Sequence, residues 1–280
     1  MTPEANKHIE LPRRQRRVIG IVGGMGPWAH MDFERKLLEG AKERFDAKHD
    51  QQFPEWLLSS MPATPDRTRA LRGQGADPMP WLLRSTKRVW GPNRADFVVY
   101  CCHTAHAFLN HIRAELEVPI LDMVEETCRV LAEDYDITRV GVLGTTGLLG
   151  AGLYQDLLEH HDLEGVSLLD IPNDGDRLQH ILVMESIYGD PSRGVDDGGI
   201  KGGKKALERA KRRLSIASKT LVEQMEVEVI LSACTEIPLA LEGDTIYGVP
   251  LVDPTQILAS AALDVAYGHR AVPTPVRHAS

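Results

Sequence analysis

Cysteine is scarce in this chain, positive charge is not in excess, and long apolar runs are missing. Four cysteines occur among 280 residues: Cys101, Cys102, Cys128 and Cys234. None is spaced CxxC, which excludes a disulfide framework and fits a reducing compartment, so a cytoplasmic location is expected. No apolar run approaches the roughly 18 residues that span a membrane. The N-terminus lacks the apolar core of a signal peptide. Net charge is −8, so bulk electrostatics gives no case for a nucleic-acid partner.

What is present is ordinary for a soluble chain: 42% hydrophobic and 26% charged residues. That length and composition suit one large domain or two. Residues 1–17 are polar and end in "RRQRR", which reads as a disordered arm. Residues 271–280 read as a loose C-terminus. Between these ends, short β-rich runs alternate with helical patterns. "RVIGIV" stops at Gly23-Gly24, and a helix follows from about Trp28 to Arg44. "EWLLSSM", "DFVVYC", "VPILDM", "RVGVLGT", "GVSLLDI" and "VEVILSAC" read as further strands. "PMPWLLRSTKRVW", "AHAFLNHIRAEL", "VEETCRVLAEDY", "YQDLLEHH", about Lys204–Met225 and "PTQILASAALDVAYG" read as helices. Such alternation predicts an α/β fold with parallel sheets covered on both faces.

A weak internal repeat divides the chain. "RVIGIVGGMG" is similar to "RVGVLGTTG", and "DFVVYCCHTAH" is similar to "EVILSACTEIP". Two similar α/β lobes are therefore expected, each with a cysteine at a strand's C-terminal end, where open α/β sheets hold ligands. Cys102 thereby gains a partner in Cys234.

Six segments in order carry a family resemblance: "IGIVGGMGP", "TPDRT", "CHTAH", "GTTGLLGAGLYQ", "ACTEIPLAL" and "LVDPTQILA". Together they span about residues 18–268. The chain resembles the cofactor-independent aspartate/glutamate racemases. The resemblance implies two flavodoxin-like lobes with the active site in the cleft between them. It implies a first lobe of 18–122 plus 248–270 and a second of 123–247. It also implies a homodimer, an amino-acid substrate, no cofactor and no metal.

Racemisation takes the α-proton from one face and returns a proton to the other. Two opposed groups solve that problem, and thiols suit it when one is a thiolate and the other a thiol. The resemblance makes Cys102 and Cys234 that pair. Cys101 is their strand neighbour, and alternation turns it toward packing. Cys128, inside a helical pattern, reads as a core residue. The site must also stabilise negative charge developing toward the substrate carboxylate.

Gly24 belongs to a tight turn whose amides can approach a carboxylate, and Met25 is expected beside the substrate. Thr104 and Thr235 can offer hydroxyls to the carboxylate or cap the next helix. Arg67 is expected to grip a side-chain carboxylate; its plainer reading is a loop salt bridge. Lys201 matches a lysine that faces the substrate in the family, with Lys204 and Lys205 as neighbouring candidates. Thr145 is a supporting residue. His106 and Glu236 flank the cysteines and can set their protonation, although His106 also reads as a hydrogen-bonded core histidine.

The chain departs from the family in three places. His103 stands where the family has Asn, and a histidine there is larger and can be cationic near neutral pH. It can lower the pKa of Cys102, bind a bigger acidic group or block the pocket. Ser59 and Ser60 replace an Asn-rich strand end. "DPSRGVDDG" at 190–198 is an unusual insert, expected as a surface loop at the cleft mouth. Rival readings are a related isomerase of maleate or hydantoin type, a catalytically silent amino-acid binding protein, and a zinc site built from Cys102, His103, His106 and Cys234.

Overall fold

The computed structural model describes residues 16–275. Most of the expected N-terminal arm, residues 1–15, and the last part of the expected loose end, 276–280, lie outside the described residues. In the first sheet, β1 (Ile19–Gly23) lies between β2 (Trp56–Ser60) and β3 (Phe97–Tyr100), all parallel. In the second, β4 (Arg139–Gly144) lies between β5 (Glu164–Val166) and β6 (Val229–Ala233). The edge strand β7 (Thr245–Ile246) runs antiparallel to β8 (Val249–Val252), which is parallel to β6.

The helices between them are α1 (Pro27–Phe45), α2 (Arg67–Leu71), α3 (Met79–Val89), α4 (Leu109–Glu115), α5 (Met123–Asp134), α6 (Thr146–Gly150) and α7 (Gln155–Glu159). Then come α8 (Gly175–Leu178), a π-helical stretch over Gln179–Met184, α9 (Glu185–Tyr188), α10 (Leu207–Met225) and α11 (Pro254–Ala266).

Alternation along β3 explains the two faces of the first sheet. Phe97, Val99 and Cys101 join a core with Ile19, Ile21, α1 and α11. Val98, Tyr100 and Cys102 join the opposite core with Leu82 of α3 and Leu109 of α4. The doubled cysteine is thus split between faces, and Cys101 is a packing residue. The second sheet is likewise covered on both sides, by α10 and by α5 with Cys128.

Two short runs expected as strands are cut short. "VPILDM" contributes a single bridge, Ile120 to Val98. Asp122 ends it by capping α5, accepting from the Val124 and Glu125 amides. "GVSLLDI" stops at Val166 because Ser167 caps a 3₁₀ turn, with its hydroxyl accepting from the Leu169 amide. The expected lobe division also needs correction. Residues 249–252 pair with β6 in the second sheet, so 248–252 do not return to the first. Only α11 returns, packing Leu258, Ala259 and Ala262 against Phe33 and Leu37 of α1.

That return is fixed by charge as well as packing. The buried ammonium of Lys36 on α1 pairs with Asp32 and with Asp253, the N-cap of α11. Lys36→Ala strands two carboxylates and is expected to cost on the order of 3 kcal/mol of stability. Urea denaturation of the variant checks this.

Candidate active site

The two cysteines stand at matching places, just beyond the C-terminal ends of β3 and β6. Each opens into a turn: the Cys102 carbonyl accepts from the Ala105 amide at 3.1 Å, and the Cys234 carbonyl from the Ile237 amide at 2.9 Å. Each is only 6% exposed, so the lobes are closed over them.

Cys234 has a carboxylate neighbour. Its thiol donates to Glu236 Oε2 at 3.1 Å, and the Thr235 hydroxyl donates to the same oxygen at 3.2 Å. The other Glu236 oxygen pairs with Lys201. Burial opposes ionisation of Glu236, yet the Lys201 ammonium holds its carboxyl below the usual range. Burial, together with that carboxylate, pushes the Cys234 thiol well up, and Lys201 only partly offsets this. Burial likewise disfavours the Lys201 ammonium, but Glu236, Cys234 and Cys102 together keep it charged and raise its pKa.

Cys102 has a guanidinium neighbour instead. Arg67 is buried, which disfavours its charge, but the facing Cys102 raises its pKa. Arg67 Nη2 donates to the Met25 carbonyl at 2.6 Å, and Nη1 to the Pro65 carbonyl at 3.0 Å. Its Nε is buried without a partner. Arg67 is thus neither in a loop salt bridge nor fully spent. Lys201 Nζ donates to the same Met25 carbonyl at 2.9 Å, so the two cations meet at one oxygen. The Met25 side chain packs in the cluster that holds Cys102.

Three threonines from three elements converge nearby. Thr68 Oγ1 donates to Thr145 Oγ1 at 3.2 Å, and Thr104 Oγ1 lies 3.2 Å from the same oxygen. Thr145 also caps α6. Thr104 and Thr235 make side-chain contacts rather than helix caps. The lobes touch here without slack: a Cβ on Gly147 would lie 2.6 Å from the Thr68 Cα. Gly24 (φ +88°) is required by a similarly close approach, since a Cβ there would lie 2.3 Å from the Met61 nitrogen. Its amide donates to His30 Nδ1 at 3.2 Å, so that N–H is not turned toward a carboxylate.

The two histidines of "CHTAH" do other work. His106 Nδ1 faces the carbonyls of Cys102 and His103, at 2.9 and 3.1 Å, and must donate. Its Nε2 accepts from the Met123 amide at 3.3 Å. The ring therefore braces the cysteine turn through these backbone contacts and does not reach the thiol. His103 is corrected more sharply. It is buried against Tyr154 of the other lobe, with ring centroids 5.9 Å apart, and neither ring nitrogen has a partner. Burial, assisted by His106, holds its pKa well below the ordinary histidine value. It is not a cation near neutral pH.

The zinc reading loses its geometry. Both His106 nitrogens are engaged with backbone, and His103 faces Tyr154. Among the described residues, His180, Glu185 and Asp190 do converge with metal-like spacing. Glu185 there is already held by Arg193 and Arg213, two guanidinium groups that repel a cation.

Two residues of the cluster escaped the sequence reading. Thr68 directly follows Arg67 in "TPDRT". Tyr188 ends α9, with its ring 5.5 Å from Lys201 Nζ and its hydroxyl 3.5 Å from Thr68 Oγ1. Thr68 was within reach, because it stands in a motif already singled out. Tyr188 carried no local signal, because only the fold brings α9 to α2.

Two α/β lobes with a thiol at the same strand end in each fit a class of racemases. Within that class, a family description for Asp/Glu/Hydantoin racemases matches residues 22–262, and the chain belongs to this family. It is 29% identical over 147 residues to the broad specificity amino-acid racemase RacX of Bacillus subtilis, covering 52% of this chain and 63% of that protein. The match thus spans less than two thirds of that relative. The structure is similar to that of Picrophilus torridus aspartate racemase, with a TM-score of 0.72 and 25% identity, covering 89% of this chain and 94% of the other. The fold is shared with glutamate racemase RacE1 of Bacillus anthracis, with a TM-score of 0.54 at 13% identity, covering 93% and 85%.

Proposed function

We propose that the protein racemises an amino acid, aspartate or glutamate first, by proton transfer between Cys102 and Cys234 without pyridoxal phosphate. The observation that carries this reading is the shared setting of two strand-end thiols: Lys201 pairs with the Glu236 carboxylate that takes the Cys234 S–H, and meets Arg67, the neighbour of Cys102, at the Met25 carbonyl.

The sulfurs have unlike neighbours, and this supports unlike roles for them. Cys234 keeps its proton, because its S–H donates to the Glu236 carboxylate and burial disfavours its thiolate. Cys102, facing the Arg67 guanidinium, is the base that takes the α-proton of the enantiomer that presents it. Cys234 then delivers its proton to the opposite face. The reverse half-cycle exchanges the roles. As the α-carbon loses its proton, charge spreads into the substrate carboxylate. The unpartnered Arg67 Nε and the hydroxyls of Thr68, Thr104 and Thr145 are the donors placed to receive it. Since the thiols are buried, the lobes open to admit substrate, and closure excludes water. His103 takes no part in substrate contact.

The test is racemisation of single enantiomers by chelator-treated protein without added pyridoxal phosphate, read by chiral chromatography. The panel starts with aspartate and glutamate and extends to neutral and basic amino acids, given the broad specificity named for a relative. Conversion of aspartate or glutamate supports the reading. Conversion of other amino acids alone keeps the reaction and replaces the substrate. No conversion across the panel contradicts the reading.

A further inference from the structure

Lys201 reaches Glu236, the carboxylate that takes the Cys234 S–H, from a glycine-rich segment, 189–203, built of two short 3₁₀ turns, Pro191–Arg193 and Gly199–Gly202. We propose that Arg193, in the unusual insert, is a positioning residue: its ion pair with buried Glu185 fixes the segment that presents Lys201. This rests on the reading of Lys201 as part of the site.

The anchor is buried at one end and external at the other. The Glu185 side chain is fully buried, and Arg193 Nε lies 2.6 Å from its Oε1. Arg193 itself is 50% exposed. Arg213 holds the second Glu185 oxygen at 2.8 Å, so Glu185 stays paired when Arg193 is removed. Asp190 and Val195 close the insert with two backbone hydrogen bonds, of 2.7 and 2.9 Å. A second tether follows: Asp197 takes both terminal nitrogens of Arg209 on α10, one at 2.6 Å.

The link from Arg193 to Lys201 is backbone against backbone. A Cβ on Gly199 (φ +60°) would lie 2.5 Å from the Ile187 carbonyl carbon, and one on Gly202 would lie 2.0 Å from the Asp197 oxygen. No side chain cushions these contacts, so a shift of the insert is passed to Lys201. Ile200, wholly buried in the second lobe's core, is the pivot beside it. At the far end, a Cβ on Gly203 would lie 3.2 Å from Trp28 Nε1 in the first lobe. The segment therefore spans the cleft, from an anchor in one lobe to a contact on the other.

Trp28 gives a readout independent of turnover. Acrylamide quenching of Trp28 is measured as the difference between the protein and its Trp28→Phe variant. The same difference is measured in Arg193→Ala and Arg193→Lys backgrounds. Arg193→Ala is expected to increase Trp28 quenching and to raise KM about tenfold, with a smaller change in kcat. Arg193→Lys is expected to restore most of both. Unchanged Trp28 quenching in Arg193→Ala overturns the proposal, whatever the activity. So does a loss of thermal stability with KM unchanged, since that is a merely structural role. If quenching responds but the unmodified protein racemises nothing, the anchoring stands and the reading of the site fails.

Discussion

Cys234→Ser is expected to lower racemisation by about 10²–10⁴-fold while proton exchange survives for one enantiomer only. Cys102 remains beside Arg67 and can still remove the α-proton presented to it. With no thiol on the opposite face, that proton site is refilled from the side it left, so solvent deuterium enters with retention. Cys102→Ser is expected to be worse for exchange. Cys234 would then have to act as the base, and burial next to the Glu236 carboxylate disfavours its thiolate. Proton NMR in D2O, starting from each enantiomer separately, reads both effects. Near-normal racemisation by either variant, or equal exchange in both, contradicts the asymmetric pair.

The second large effect concerns stability and acid. His103 is neutral in the folded protein, and its pKa there lies well below the ordinary 6.5. In the unfolded chain it protonates near that ordinary value. Above about pH 6.5 both states are neutral at this position, and the group adds no pH dependence. Below it, the unfolded state binds a proton that the folded state refuses, so stability falls. The slope is about 1.4 kcal/mol per pH unit until the folded pKa is reached. Between pH 7 and 5 the unmodified protein is therefore expected to lose more stability than His103→Asn, up to about 2 kcal/mol. Other groups, such as the buried His30 with its lowered pKa, are common to both proteins and cancel. Urea denaturation at each pH measures the difference. Equal slopes would mean that the His103 ring is solvated or partnered.

Much of this was legible in the sequence, for reasons that can be named. β1, β3, β4 and β6 are buried on both faces, so they read as continuous apolar runs, and their ends were marked by glycine or cysteine. The pairing of Cys102 with Cys234 came from similar strings at those strand ends. The fate of Cys101 followed from the period of a strand. The failures lie where a local run competes with a cap or where a partner comes from the other lobe. Asp122 and Ser167 each ended an expected strand by capping a helix or turn. His103 looked like a charge at the substrate because it stands where the family resemblance puts Asn. Its real neighbour is Tyr154, more than fifty positions away. Arg67 looked free for a carboxylate, and only the fold brings the Met25 carbonyl to two of its cationic neighbours at once. Residues 249–252 resembled a return to the first lobe, because strand pairing is not encoded in four residues.

The most direct test of the two-thiol reading is isotopic. One enantiomer of a substrate amino acid is incubated in D2O, and early samples are resolved by chiral chromatography with mass detection. If opposed thiols do the work, the newly formed enantiomer carries solvent deuterium while the remaining starting enantiomer keeps its protium. If a single group works both faces, the product retains part of the original protium, or the starting enantiomer gains deuterium as fast as product forms; either result would contradict Cys102 and Cys234 as opposed partners.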